Sequence, residues 1–266
     1  EKDDQFTITS QIHSKEGWVK HPLDEQLRAK TPNQKLRSIP VRMLFDDPEL
    51  SLRANYTMFD RESGRPVCVG NGETCKRVTE SGMQSLACPS PAACPLALGG
   101  QCKPYGRLNV RIDCEGCTDE LGSFVLRTTG FNSIRTLSAR LRYLHALSGG
   151  VLSTLPLELR VRGKSTTLSR RTPIYYVDLT LRSDCTLEQA VADARIAWDA
   201  RKAAGVNQAA LDEAARMGFA LGEFEECEED GAAVVEEFYP QEDVQGAAPE
   251  LAPGMGLELA DKIRSK

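Results

Sequence analysis

Several short stretches of the chain alternate apolar and polar positions with a period of two. Ile39, Val41, Met43 and Phe45 alternate with neighbours that include Arg42, as the residues of a half-buried strand do. The same reasoning predicts further strands over residues 52–59, 67–69, 107–112, 123–128, 157–162 and 174–181. Strands this short, joined by turn residues, favour antiparallel pairing.

Three stretches have helical periodicity instead. Residues 134–147 place apolar side chains on one face after a cap at Asn132 or Ser133, and Gly149 ends this helix. Thr186 caps a second helix that runs to about residue 204, and a third covers 208–221. From residue 123 the order strand, helix, strand, strand, helix is that of a split βαβ unit. The predicted fold is therefore α+β, an antiparallel sheet with a split βαβ-like core and a cysteine-rich insertion.

Composition divides the chain into four predicted segments. Residues 1–37 are polar and are expected to be a loosely held N-terminal segment, and 38–122 form β hairpins that include a cysteine-rich module at 68–102. Residues 123–222 form an α+β core with a basic surface, and 223–266 form an acidic, largely disordered tail.

Charge is distributed unevenly along a chain whose net charge is −5. Residues 103–182 carry 13 basic and 6 acidic side chains, whereas 183–266 carry 7 basic and 19 acidic ones. A positive block beside a negative one is frequent in proteins that handle nucleic acid, although two differently solvated surfaces explain it equally well. No apolar run is long enough to span a bilayer and no secretory leader is apparent, so a cytoplasmic protein without a membrane partner is expected.

Seven of the nine cysteines lie between positions 68 and 117. In a reducing compartment, clustered thiols indicate metal ligands rather than disulfides, and zinc prefers four of them in a tetrahedron. Cys88, Cys94 and Cys102 lie in a stretch of Gly, Pro and Ser that has too few large apolar groups to build a core. The fourth ligand is Cys68 or Cys75, and we favour Cys68 because small residues follow it.

Cys75, Cys114 and Cys117 remain reserve ligands, the last two because they form a CxxC pair without a second pair. A site made of four thiolates is normally closed and structural. No HExxH, P-loop, GxSxG or deaminase motif is present, so no catalytic residues are predicted and an enzyme is the less favoured interpretation.

Basic side chains cluster on the 134–147 helix and on the strand and loop that follow it. Guanidinium groups match phosphate geometry, so this cluster is the candidate nucleic-acid surface, and ordinary solvation or ion pairing with Glu158 and Asp178 is the alternative. The candidate residues are Arg135, Arg140, Arg142, Arg160, Arg162, Lys164, Arg170 and Arg171.

Several stretches carry a family resemblance: Phe124–Arg135, Gly149–Leu159, Gly163–Thr167, the two Cys-Pro pairs at 88 and 94, and Lys103–Leu108. They resemble proteins of bacterial integrative elements and phages that are usually labelled hydrolase or metal-binding protein. More distantly, they resemble phage recombination directionality factors, which bind a serine integrase and turn it from integration to excision. The resemblance covers about residues 38–190 and implies a zinc-containing accessory factor of mobile-element recombination or replication.

Three functional hypotheses follow. The first is a non-enzymatic, zinc-stabilised protein that binds nucleic acid, with DNA favoured, or a DNA-bound recombinase. The second is a metal-dependent hydrolase or nuclease, which requires an open zinc or a carboxylate cluster assembled by folding. The third is a protein-only subunit of a larger nucleoprotein or defence complex.

Overall fold

A computed structural model describes residues 4–15, 17–114, 122–165, 172–221, 235 and 238–239. Its strands are Thr9–Ser14 (β1), Gly17–Lys20 (β2), Ser38–Met43 (β3), Leu52–Phe59 (β4), Pro66–Gly70 (β5), Thr74–Thr79 (β6), Gly82–Ala87 (β7), Lys103–Ile112 (β8), Phe124–Thr128 (β9), Leu157–Lys164 (β10) and Ile174–Leu181 (β11). Its helices are Pro22–Ala29 (α1), Pro48–Ser51 (α2), Phe131–Ser148 (α3), Leu187–Ala203 (α4) and Gln208–Leu221 (α5). No helix of the described part is long and apolar enough to cross a membrane.

The chain forms two compact units. The first comprises Glu1–Arg53 and Gly106–Phe224, and the second comprises Ala54–Tyr105 and Glu225–Lys266. The predicted α+β class is confirmed, and the strand pairs of both units are antiparallel as expected. Residues 223–266, the predicted acidic tail, lie outside the described residues except for Val235, Phe238 and Tyr239.

In the first unit, the strand order is β11, β10, β3, β8, and β9 also pairs with β8. Leu157 of β10 lies opposite Leu181 on one side and Val41 on the other, which centres the apolar core on this strand. The predicted split βαβ arrangement is wrong. β9 is antiparallel to β8, β8 is antiparallel to β3, and β3 is antiparallel to β10. β9 therefore runs antiparallel to β10, so α3 does not connect two parallel strands.

The described residues of the N-terminal segment, 4–15 and 17–37, contribute to the core of the first unit, although the composition of 1–37 predicted a loosely held segment. Phe6, Ile8, Leu27 and Leu36 belong to the buried core of the first unit, and the side chain of Leu36 is fully buried. The amide of Phe6 donates to the carbonyl oxygen of Leu36 at 2.7 Å. Few apolar residues are needed for this attachment, because each one enters a core that the later strands supply.

The helix signals in the sequence are largely confirmed. Leu137, Leu141 and Leu144 face the core, and Gly149 ends α3 with φ of +72°. The N-cap of α3 is Gly130 rather than Asn132 or Ser133. The hydroxyl of Ser133 instead accepts a hydrogen bond from the amide of Val177 in β11 at 2.9 Å.

In the second unit, β4, β5, β6 and β7 form an antiparallel series. The β6–β7 hairpin was not predicted, because residues 74–87 combine few large apolar groups with many polar ones. Its register runs from Thr74 opposite Ala87 to Thr79 opposite Gly82. This hairpin and β5 carry the first two cysteines of the predicted zinc module.

Candidate functional site

Cys68 and Cys75 lie on the same face of the β5–β6 pair. Cys68 is opposite Arg77 and Gly70 is opposite Cys75, and side chains of directly opposed residues share a face. Both thiols are buried. The turn between the strands is fixed by Asn71, whose side-chain oxygen accepts hydrogen bonds from the amides of Glu73 and Thr74, each at 2.9 Å.

Cys88 reaches this face across Gly70. A Cβ atom added at Gly70 would lie 2.7 Å from the Cβ of Cys75 and 2.8 Å from the Sγ of Cys88. Any side chain at position 70 would therefore occupy the space of the Cys88 thiol. The amide of Cys88 donates to the carbonyl oxygen of Glu73 at 2.8 Å, which fixes the residue at the end of the hairpin.

Cys94 and Cys102 flank a short 3-10 helix, Pro95–Gly100. The carbonyl oxygen of Cys94 accepts from the amide of Ala97 at 3.0 Å. The pKa of Cys102 is raised to about 12, chiefly by burial and with smaller contributions from the neighbouring thiols of Cys68, Cys88 and Cys94. The three thiols that contribute to this raised pKa are the other three members of the predicted ligand set.

Arg77 brings a positive charge to the same thiols. A hydrogen bond to Cys68 raises the pKa of Arg77, and its Nη2 lies 3.9 Å from the Sγ of Cys75. Among the described residues, the buried Nε of Arg77 has no hydrogen-bond partner. Sequence analysis missed this residue, although its spacing of two from Cys75 on a strand would have placed both on one face.

Within the described residues, no group of three or more Cys, His, Asp or Glu side chains is arranged to hold a metal ion. Cys114 is disulfide-bonded, and Cys117 lies outside the described residues. The ligand set Cys68, Cys88, Cys94 and Cys102, with Cys75 in reserve, therefore stays a prediction. Its donor chemistry fits zinc, and the space left by the absent side chain at Gly70 is filled by a thiol.

The candidate basic residues lie in the first unit, and three of them, Arg140, Arg160 and Arg162, are paired with buried acids. Asp178 accepts from Nε of Arg140 at 3.1 Å and from Nε of Arg162 at 2.6 Å, and its side chain is 4% exposed. Arg160 pairs with Glu158, which also accepts from the hydroxyl of Ser38 at 2.8 Å. The positive charge offered to a ligand is therefore smaller than the sequence count indicates.

The other candidates are more exposed. Arg142 is 3.5 Å from the carboxylate of Glu49 with both groups largely in solvent, and Lys164 donates to the side-chain oxygen of Asn132 at 3.0 Å. Arg135 is exposed on α3, and no ion pair joins it to another described residue. Tyr143, on the same helix, is 59% exposed. Arg170 and Arg171 lie outside the described residues.

Together these features define an α+β protein that gathers cysteines and an arginine on one sheet face and presents a partly neutralised basic helix. A family model described as Gp3-like, recombination directionality factor-like, matches residues 1–182. The chain belongs to this recombination directionality factor-like family, which agrees with the distant resemblance read from the sequence and indicates an accessory role in phage recombination. No curated protein and no solved structure matches the chain.

Proposed function

We propose that this protein is a non-enzymatic, zinc-stabilised accessory factor of phage recombination that acts on DNA or on a DNA-bound recombinase. The observation that carries the recombination role is the family match, which includes all five cysteines of the 68–102 module and the candidate basic residues. A factor of this kind needs a surface for a nucleoprotein partner, and the exposed part of α3 is the surface we assign to it.

The cysteine face supports zinc as a structural cofactor. Cys68, Cys88, Cys94 and Cys102 come from a strand, a hairpin end and the two ends of a 3-10 helix, so a shared metal would cross-link these elements. Four thiolates around a divalent zinc leave a net charge of −2, and the guanidinium of Arg77 beside Cys68 offsets part of it. A closed thiolate site has no open position for substrate, which favours a structural role over a hydrolytic one.

Metal content tests the zinc assignment. The full chain, purified without added metal and analysed by mass spectrometry, is expected to carry one zinc per chain. Cys94→Ser should lose it, whereas the matched control Cys185→Ser should retain it, because Cys185 lies in the first unit and bonds to the carbonyl oxygen of Arg182. Equal metal content in both variants would contradict the assignment.

DNA binding by the α3 surface is tested by fluorescence anisotropy with labelled double- and single-stranded DNA across a salt series. Affinity should fall steeply with salt, because each neutralised phosphate releases counterions. Arg135→Ala should weaken binding several-fold, whereas Arg160→Ala should change it little, because Arg160 is already paired with Glu158. If neither substitution weakens DNA binding and the affinity does not depend on salt, the exposed part of α3 is not a DNA-binding surface.

The ion pairs of the basic residues favour a second candidate, a protein-only contact with the recombinase. Arg140 and Arg162 share the carboxylate of Asp178, which leaves them less charge for phosphate. A factor that binds the isolated recombinase but not DNA alone would meet this description. Pull-down of the purified recombinase with and without its DNA site separates the two candidates.

A further inference from the structure

The second unit holds two adjacent aromatic residues from far along the chain. Phe238 is 1% exposed and packs edge-on against Phe59 and Tyr105, with ring centroids 4.8 Å and 5.7 Å away. Phe59 and Tyr105 are themselves 5.5 Å apart, in the T-shaped geometry that aromatic pairs prefer. These two side chains form a receptor pocket for one inserted ring.

Tyr239 is held beside this pocket by its polar tip. Its hydroxyl accepts from the amide of Phe59 at 3.3 Å and donates to the carbonyl oxygen of Gln101. The guanidinium of Arg61 lies 4.6 Å from the centroid of the Tyr239 ring, within the range of a cation–π contact. The ring face of Tyr239 therefore contacts a cation, and its hydroxyl makes separate hydrogen bonds to the main chain.

Lys103 completes the recognition. Its ammonium donates to the main-chain carbonyl oxygen of Phe238 at 3.0 Å and lies 5.3 Å from the centroid of the Tyr239 ring. In the sequence, Glu236 and Glu237 precede the aromatic pair, and Glu242 and Asp243 follow it. Two cations, Arg61 and Lys103, therefore contact the aromatic pair, and Asp60 and Glu62 line the same pocket beside Tyr239.

The receptor and its occupant belong to different parts of the chain. Phe59, Arg61, Gln101, Lys103 and Tyr105 fall within the residues that the family model matches, whereas Phe238 and Tyr239 lie beyond its end at residue 182. The aromatic pair is held by ring packing on Phe238, by the hydrogen bond from Lys103 to the carbonyl oxygen of Phe238, and by the cations beside the Tyr239 ring. Short linear peptides are bound by their receptors through contacts of the same kinds.

We propose that Phe59, Arg61, Gln101, Lys103 and Tyr105, the aromatic-pair site, form a docking site for a protein partner, and that Phe238 and Tyr239 occupy it in cis as an internal competitor. The partner presents a short segment with two adjacent aromatic residues. Because the internal segment is tethered, its effective concentration is about millimolar, and an outside peptide must displace it. This inference depends on neither zinc nor DNA binding, so its test is independent of the test of the proposed function.

The test uses the full chain with the double substitution Phe238→Ala and Tyr239→Ala. A labelled peptide of residues 232–244 is titrated into this variant and into the wild type by fluorescence anisotropy. We expect saturable binding to the variant and at least tenfold weaker binding to the wild type. Adding Lys103→Ala to the variant should abolish binding, and a peptide with alanine at both aromatic positions but the same charges should not bind.

A milder variant keeps the test decisive if the double variant does not fold. Tyr239→Phe removes one hydroxyl from the internal segment and should raise the affinity of the added wild-type peptide at least threefold over that of the wild-type chain. Tyr176→Phe, in the first unit, is the matched control and should leave the affinity unchanged. No peptide binding to a folded double variant, or no gain with Tyr239→Phe, would overturn the proposal. Dimerisation of the wild-type chain that the peptide reverses would also overturn it, because the occupant would then be a second copy.

Discussion

The thiol of Cys88 occupies the space that a side chain on Gly70 would need, with only 2.8 Å between its sulfur and an ideal Cβ at that position. Gly70 pairs with Cys75 across the β5–β6 ladder, so one small residue lets two thiols from separate strands and loops approach each other. The cysteine face is therefore specified by a glycine as well as by cysteines.

Gly70→Ala should displace Cys88 and destabilise the second unit. Inserting a methyl group into a filled space costs about 1–3 kcal/mol, and here the neighbour is a thiol fixed at a hairpin end. Urea unfolding measures the loss, and faster alkylation of Cys88 reports the displacement. Gly163→Ala is the control, because its Cβ would meet only the ring edge of Tyr175, at 3.2 Å. Equal effects of the two substitutions would contradict the close approach.

Cys102→Ser and Cys75→Ser should differ in their metal content. Cys102 interacts with the thiols of Cys68, Cys88 and Cys94. Cys75 also lies beside Cys68 and Cys88, but its thiol donates to the carbonyl oxygen of Ala87 and contacts the guanidinium of Arg77. On the proposed ligand set, the first variant loses zinc and the second keeps one zinc per chain, as measured by mass spectrometry. The reverse result would make Cys75 the ligand.

Asp178→Asn should lower the stability of the first unit and raise its positive potential. It removes the shared counter-charge of Arg140 and Arg162, and we expect a loss of about 2 kcal/mol, below the range for fully buried pairs because both guanidiniums are partly exposed. Thermal unfolding measures this loss, with Asp184→Asn as the exposed control. If α3 and β10 contact DNA, the same variant should bind DNA more tightly.

Asp113 should make stability depend on acid pH. Burial raises the pKa of Asp113, but the guanidiniums of Arg42 and Arg182 outweigh burial and hold it below the ordinary value. Because an unfolded Asp has a pKa of about 3.9, the ionised carboxylate stabilises the fold above that pH, and this contribution is lost as the pH falls through the folded pKa. Urea unfolding between about pH 2 and 5 should show a smaller pH dependence for Asp113→Asn than for the wild type. An unchanged profile would show that the three charges do not interact.

Local patterns in the sequence determined the elements whose signals are complete within a few residues. The alternation in 157–162 and 174–181 specified β10 and β11, and Thr186 specified the start of α4, where its hydroxyl accepts from the amide of Gln189. These predictions needed no knowledge of distant contacts, because strand alternation and helix capping act over one to four residues.

Tertiary structure decided which strands are neighbours and which charges are neutralised. No local signal places β9 beside β8, or selects Asp178 as the partner of Arg140, 38 residues away. Phe6, Ile8, Leu27 and Leu36 of the polar N-terminal segment are buried in a core that later strands build, and Phe238 packs against residues more than a hundred positions earlier. Such contacts are selected by the total burial and charge pairing of the folded chain, which a short sequence window does not contain. The sequence by itself thus determined the cysteine cluster, the three longest helices of the described residues and most of the strands, whereas folding determined how they combine into surfaces.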